Sequence, residues 1–257
     1  MNRLRSLYHA VPLCAALLAP EAFAIPAAVQ DFEDGSTQGW TAGGGPLGGV
    51  PLAPPTVVSG GAGGAADDYL QVTSTGGSGP GSRLSAINPA AWSGNYAGAG
   101  LTSIGMDLRN FGPSDLYIRL LLEDLSDLGQ VSYAITAAVF LPSGSGWTDV
   151  NFSVAAADLI ELQGDPAALL ESVTHLRILG SGDQDWLFSP GAQPAVIATL
   201  GVDNITPNVF GDGDGGNGVP LPSTGWLVSL GLLSAAGLAR QRRQAACRAD
   251  PGSLPAS

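Results

Sequence analysis

The chain of 257 residues contains no lysine, and its two cysteines, Cys14 and Cys247, lie near its two ends. The stretch from residue 25 to residue 218 therefore has no cysteine, which predicts a domain without a disulfide. This stretch carries 4 arginines against 20 acidic residues, a net charge of −16. Such a charge repels phosphate backbones and attracts divalent cations, so it argues against nucleic acid as a partner.

Residue types typical of catalytic sites are also scarce in this stretch. Its only histidine, His175, alternates with Leu176 and Ile178 in a predicted strand, which indicates a strand residue facing solvent. No glycine-rich segment has the strand and helix context of a phosphate-binding loop. Paired carboxylates can hydrolyse glycosides, but acidic residues are so abundant that no particular pair is informative. The sequence predicts no enzyme and no catalytic residue.

The first 24 residues have the pattern of a secretory signal peptide. Arg3 and Arg5 form a basic start, Leu7–Ala19 is an apolar run, and Ala22–Ala24 reads Ala-Phe-Ala, a small-x-small cleavage site. The apolar run is too short to span a bilayer. We therefore expect export and cleavage after Ala24, with an uncleaved N-terminal anchor as the alternative.

Residues 25–206 alternate short apolar runs with glycine and proline turns, a pattern that predicts an all-β sandwich or barrel. Alternation with period two is typical of a sheet with one wet face. Strands are predicted at Thr56–Ser59, Tyr69–Thr73, Leu101–Leu108, Asp115–Glu123, Val131–Val139, Trp147–Val154, Thr174–Leu179 and Ala195–Ile205. One short helix is predicted where the cap Asp165 precedes Pro166, ending at Val173. Residues 207–218 read as an acidic, glycine-rich linker.

The segment 219–244 has three parts: a proline motif, an apolar helix and a basic stop. Residues 223–239 can form a helix about 25 Å long, slightly less than the hydrocarbon core of about 30 Å. Arginines after the helix favour a cytoplasmic end, which would place the tail 245–257 in the cytoplasm. The motif and stop residues are Val219, Pro220, Leu221, Pro222, Arg240, Arg242 and Arg243.

This three-part end resembles the PEP-CTERM sorting signal of Gram-negative bacteria. The resemblance implies processing by an exosortase-type membrane transpeptidase, although Leu221 stands where that family has glutamate. Residues 221–225, Leu-Pro-Ser-Thr-Gly, also fit the LPXTG signal that sortases cleave at Gram-positive walls. A plain tail anchor is a third possibility. Stretches such as Asn88–Gly112 resemble the ectodomains that precede PEP-CTERM signals, so the first interpretation is favoured.

Residues 31–40 and the pair Asp203-Asn204 resemble the first and last strands of carbohydrate-binding jelly rolls of the galactose-binding-like class. In such domains the terminal strands lie together, and acidic groups there can hold a structural Ca²⁺. The resemblance implies Glu33 and Asp203 as ligands, since calcium takes six to eight oxygens.

Sugar binding normally uses exposed aromatic side chains beside polar groups. Trp92, Tyr96 and Trp147 lie in or beside predicted loops and are the candidate ligand-binding residues. We therefore expect a jelly-roll-like module at the cell surface or in the extracellular matrix, first anchored in the inner membrane. Polysaccharide and Ca²⁺ are the expected partners. A secreted glycan-active enzyme and a purely structural envelope protein are the alternatives.

Overall fold

A computed structural model of the chain describes residue 25 and residues 28–42, 53–78, 81–187 and 193–210. The chain divides into two units, Met1–Asp212 and Gly213–Ser257, and all described residues lie in the first. Within them the structure is an antiparallel β-sandwich of two sheets with two short helices.

The larger sheet has seven strands in the order β1-β4-β11-β6-β7-β10, with β8 also paired to β6. Its strands are β1 (Thr41–Ala42), β4 (Leu84–Asn88), β6 (Leu116–Asp124), β7 (Ser132–Ile135), β8 (Val139–Leu141), β10 (Ile160–Gln163) and β11 (His175–Ser181). Two four-residue helices, α1 (Tyr96–Ala99) and α2 (Pro166–Leu169), accompany the sheets. The side chain of Asp165 caps α2 through Ala167 N, as the sequence predicts.

The smaller sheet has five strands in the order β2-β3-β12-β5-β9. They are β2 (Thr56–Ser59), β3 (Asp68–Thr75), β5 (Leu101–Asn110), β9 (Thr148–Ser153) and β12 (Ile197–Val209). The long strand β12 lies at the centre and pairs with β3 on one side and β5 on the other. It continues to Val209, so ordered structure extends past the domain boundary predicted at residue 206.

The main core lies between the two sheets, and the alternating residues of each strand supply it. Leu70, Leu108, Ile118 and Val202 are fully buried in this cluster. Burial of such apolar surface contributes about 25 cal/mol per Å² and is the main stabilising term of the sandwich.

Gln30 connects the start of the described domain to the core through hydrogen bonds. Its Oε1 accepts hydrogen bonds from Trp40 Nε1 at 2.9 Å and from Trp92 Nε1 at 2.7 Å. Gln30 also forms an antiparallel bridge with Ile205 of β12. Both indoles are buried, so one amide oxygen satisfies two polar groups that would otherwise be costly in the core.

The central strands β4, β6 and β11 of the seven-stranded sheet are largely buried on both faces, which corrects the prediction of a wet face on β6. Arg119, Leu121 and Glu123 lie on the side predicted to face solvent, yet each is no more than 6% exposed. A second core covers them, because the chain after β6 and the segment around Trp186 fold over this side of the sheet. Its buried apolar members are Leu121, Leu125, Tyr133, Ile135 and Leu179.

Most predicted strands are confirmed, with two kinds of exception. The predicted strand Val131–Val139 is interrupted at Thr136, whose Oγ1 accepts from Leu120 N at 2.9 Å in place of a continuing ladder. Strands β1, β4 and β10 and helix α1 are additional to the prediction. Every residue of β4 is buried, so its sequence shows no alternation.

The predicted signal peptide and the predicted sorting helix at residues 223–239 lie outside the described residues. Among the residues that the structure describes, no helix is long and apolar enough to cross a membrane.

Candidate functional site

The outer face of the five-stranded sheet is the most open part of the sandwich. No described strand or helix packs over it, and most of its side chains are partly exposed. Its polar members include Gln71 and Thr73 of β3, Thr199 of β12, Asp107 and Arg109 of β5, and Asn151 of β9. We call this surface the open face.

Three aromatic rings meet on the open face. Tyr69 and Phe111 are stacked with centroids 5.5 Å apart, and Trp147 meets both edge-on, at 5.1 Å from Tyr69 and 6.0 Å from Phe111. Tyr69 is only 5% exposed, whereas Phe111 is 38% exposed and Trp147 is half-buried. Offset and edge-on pairs of this kind are mutually stabilising. Tyr69 therefore forms the base of the cluster, and Phe111 and Trp147 form its accessible part.

Gly201 makes room for the aromatic cluster at the centre of the sheet. A Cβ atom at this position would lie 2.7 Å from Trp147 Cη2, 2.8 Å from Phe111 Cε2 and 3.2 Å from Tyr69 Cδ2. Residue 201 pairs with Gln71 on β3 and with Arg109 on β5. Only glycine leaves the rings in contact with the strand backbone at this point.

Polar contacts fix the orientation of the cluster. The Arg109 guanidinium lies 4.2 Å from the centroid of the Phe111 ring, a cation–π contact, and Arg109 Nε donates to Ser145 O at 3.3 Å. Trp147 Nε1 donates to Gly60 O at 3.3 Å. The open face thus presents fixed apolar rings beside hydrogen-bonding side chains, an arrangement suited to a ligand with an apolar face and hydroxyl groups.

A pair of carboxylates lies beneath the loop at one end of the open face. Asp203 is fully buried and accepts from Ala62 N at 3.0 Å and from Asn204 N at 2.7 Å. A Cβ atom added to Gly61 would lie 2.5 Å from Asp67 Oδ2 and 2.7 Å from Asp203 Oδ2, so both carboxylates converge on this glycine. Burial raises the pKa of Asp203 to about 6, and the neighbouring Asp67 acts in the same direction.

Glu33 contacts the same loop, because its Oε1 accepts from Asp68 N at 2.8 Å. The fold thus brings both predicted calcium ligands, Glu33 and Asp203, to the segment 60–68. Within the described residues, no group of three histidine, cysteine, aspartate or glutamate side chains is close enough to hold a metal ion. Backbone and amide oxygens would have to complete the six to eight ligands of calcium.

The three predicted ligand-binding aromatics have different positions. Trp147 belongs to the cluster on the open face. Trp92 and Tyr96 are fully buried, and Tyr96 Oη donates to Trp92 O at 2.8 Å. These two rings pack the core and offer no face to a ligand, since one hydrogen-bonded network with Gln30 holds Trp92 inside. The sorting residues Val219, Pro220, Leu221, Pro222, Arg240, Arg242 and Arg243 lie outside the described residues.

No protein-family model matches this sequence, and no curated protein matches it. Solved structures do match the fold. An exo-β-agarase superposes with a TM-score of 0.47 at 12% identity, over 71% of this chain and 26% of the agarase chain. The chain therefore spans about a quarter of that protein.

Two smaller proteins match over nearly their whole length. The CBM22-2 xylan-binding domain of Xyn10C from Paenibacillus barcinonensis has a TM-score of 0.42 at 19% identity, covering 70% of this chain and 98% of that domain. The family 11 carbohydrate-binding module of the cellulase Lic26A-Cel5E from Clostridium thermocellum has a TM-score of 0.41 at 11% identity, covering 71% and 93%.

Proposed function

We propose that the protein is an exported, non-catalytic module that binds a neutral polysaccharide on the open face. The observation that carries this proposal is the aromatic cluster seated on Gly201. Phe111 and Trp147 supply ring faces for the C–H surface of a sugar, and Gln71 and Arg109 supply hydrogen bonds beside them. Gln71 and Arg109 lie within strands, and Phe111 and Trp147 directly adjoin β5 and β9 and contact each other, so little ordering entropy is lost when a glycan binds.

The acidic residues of the open face favour a neutral glycan over an anionic one. Asp107 of β5 and Asp149 of β9 are paired on the open face, and Arg109 is the only cation among the open-face residues described above. These two carboxylates would repel an anionic glycan. A neutral chain, such as a plant or bacterial glucan or xylan, meets no such penalty.

The test is a glycan microarray probed with the purified protein and with Phe111→Ala. We expect binding to neutral polysaccharides that falls about tenfold in the variant, as for an aromatic that anchors an interface. Absence of binding to every polysaccharide by the folded wild-type protein would contradict the proposal.

A glycan hydrolase is the second candidate, and one observation favours it. Asp107 and Asp149 are direct partners on β5 and β9, so two carboxylates lie opposite each other on the open face. Opposed carboxylates are the arrangement that glycoside hydrolysis uses. Release of reducing ends from a bound polysaccharide, abolished in Asp107→Asn, would select this function over simple binding.

A structural Ca²⁺ at the 60–68 loop belongs to the same proposal. The buried Asp203 and the partly exposed Asp67 bring two carboxylates together, and Glu33 contacts the same loop. A bound cation would neutralise them and fix the loop whose Gly60 carbonyl receives the Trp147 indole N–H. Thermal stability that is the same with calcium and with a chelator would contradict this part.

The proposal places the module at the cell surface or in the matrix, released by an exosortase-like enzyme at Val219–Pro222. The sequence pattern of both ends supports this placement. Intact-mass measurement of protein collected outside the cell tests it: we expect a chain that begins at Ile25 and ends before Ser257. A full-length chain would contradict processing at either end.

A further inference from the structure

A cavity of about 860 Å³ lies away from the open face, between helix α1 and the segment Glu171–His175 that enters β11. Its volume falls in the range of small-molecule sites, about 300–1,000 Å³. Neither the polysaccharide proposal nor the calcium proposal uses it.

The walls of the cavity are mainly apolar and built from small residues. Pro89, Gly98, Ala99 and Val173 contribute to them, and the bridge between Gly94 and Val173 holds the two sides together. No described aromatic side chain lines the cavity, which distinguishes it from the open face. Among the described lining residues, Glu171 is the only one with a carboxylate side chain, and an anion would be repelled by it.

One half-buried group gives the apolar cavity a directed hydrogen bond. His175 lines it, and Thr174 Oγ1 lies 2.8 Å from His175 Nδ1. Thr174 Oγ1 is itself fixed by Leu125 N at 2.9 Å and Glu123 O at 3.0 Å. The ring is therefore held through Nδ1, and Nε2 is the nitrogen left for a ligand.

The surroundings of His175 favour the neutral imidazole. Burial lowers the pKa of His175, the positive charge of Arg177 acts in the same direction, and Asp124 opposes them. Because the single proton of Thr174 Oγ1 is donated to Glu123 O, the imidazole proton lies on Nδ1 and is donated to Thr174 Oγ1, which leaves Nε2 as an acceptor. A hydroxyl group can donate a hydrogen bond to it.

We propose that this cavity binds a small neutral alcohol, a molecule with an apolar body packed against Pro89, Ala99 and Val173 and a hydroxyl group hydrogen-bonded to His175 Nε2. This site is separate from the glycan site and does not depend on it. A metal ion is a poor alternative, since His175 and Glu171 are the only histidine and acidic residues among the lining residues described.

The probes are cyclohexanol and methylcyclohexane, titrated into the purified protein and followed by amide chemical shifts. We expect saturable shifts of Ala99, Val173 and His175 with cyclohexanol. Ala99→Leu fills the cavity from an exposed helix position and should weaken cyclohexanol binding at least tenfold. Ala97→Leu is the matched control, because Ala97 is exposed on the same helix but outside the cavity, and it should leave the affinity unchanged.

His175→Phe tests the hydroxyl contact. It should weaken cyclohexanol binding about three- to tenfold, the effect of one lost hydrogen bond, and leave methylcyclohexane binding unchanged. Absence of saturable shifts in the wild-type protein, or equal losses in Ala97→Leu and Ala99→Leu, would overturn the site. Equal effects of His175→Phe on both probes would overturn its assignment to alcohols.

Discussion

The two sheets are built from similar strands, but their outer faces differ in exposure to solvent. The open face of the five-stranded sheet keeps partly exposed rings and charges, with Arg109 lying over Phe111. The outer face of the seven-stranded sheet is largely covered by a second core around β6, β7 and β11, and its Arg177 is 6% exposed. The difference shows that loops, and not strand periodicity, decide which face of a sheet remains available to a ligand.

On the covered face, the charged side chains of Arg177 and Glu123 form a buried ion pair. Arg177 Nη2 lies 2.9 Å from Glu123 Oε2, and both side chains are nearly inaccessible. Burial raises the pKa of Glu123 while Arg177 opposes that rise. On the open face Arg109 contacts the Phe111 ring and Ser145 O, and its guanidinium is partly exposed and accessible to a ligand.

The largest expected effect therefore comes from Arg177→Met. It leaves the Glu123 carboxylate buried without its partner, and we expect a loss of about 3–5 kcal/mol in the free energy of unfolding at pH 7. The control is Arg109→Met on the open face, with an expected change below about 1 kcal/mol. Urea denaturation of both variants measures the difference. Equal losses would contradict the distinction between the two faces.

The loss in Arg177→Met should also depend on pH. Without Arg177 the folded-state pKa of Glu123 rises further above its unfolded value. A raised pKa contributes stability below the unfolded pKa, about 4.3, and loses it as pH increases. The variant should therefore be less impaired near pH 4 than at pH 7. A deficit that grows as pH falls would contradict this account.

The next effect concerns Asp203, which is buried beside Asp67 at the end of the open face. Asp203→Asn removes a buried charge whose pKa is raised to about 6, but its amide nitrogen replaces an oxygen that accepts from Ala62 N or Asn204 N. The two effects oppose each other, so at pH 7 in chelator the free energy of unfolding should change by less than about 2 kcal/mol and should no longer fall between pH 4 and 7. Because of the raised pKa of Asp203, the wild-type protein should lose stability in chelator as pH rises from 4 through 6.

The response to added calcium tests whether Asp203 is a ligand of the cation. Added Ca²⁺ should stabilise the wild-type protein and have little effect on Asp203→Asn, whereas the exposed control Asp149→Asn should respond like wild type. Thermal melts in calcium and in chelator provide the measurement. A calcium response that survives in Asp203→Asn would place the cation elsewhere.

A smaller effect on stability is expected for Gly201→Ala. Its new Cβ overlaps the ends of Phe111 and Trp147, which are partly exposed and can move outward, so the cost should stay near 1 kcal/mol. The rings would be displaced, and polysaccharide affinity should fall several-fold. Gly105→Ala on the same sheet is the control, because its nearest contact is 3.4 Å away. Equal affinities of the two variants would contradict the role of the cluster.

Strands could be predicted from the sequence where one of their faces is exposed to solvent. Leu101–Leu108 and Trp147–Val154 alternate clearly and form β5 and β9. Strand β4 has no such pattern, because both its faces are buried. The second core was not predicted. It forms because loops fold over β6, and the alternation of apolar and polar residues in β6 does not indicate that its second face is buried.

The site could be predicted only in part, because long-range pairing assembles it. Trp147 was identifiable as an aromatic beside a loop, but Trp92 looked the same and is held inside by Gln30, 62 residues away. Phe111, Tyr69 and Gly201 come together only through the register of β3, β12 and β5. Asp67 likewise meets Asp203 across more than a hundred residues, so no local motif reveals the pair.

Two tryptophans, one on each outer face, allow the most direct test of the central claim. Trp147 lies on the open face, and Trp186 packs against the second core. Titration of the purified variants with a soluble neutral polysaccharide should show at least tenfold weaker binding for Trp147→Ala. Trp186→Ala should bind like wild type, although it is less stable. Unchanged binding in Trp147→Ala, or equal weakening in both variants, would contradict binding on the open face.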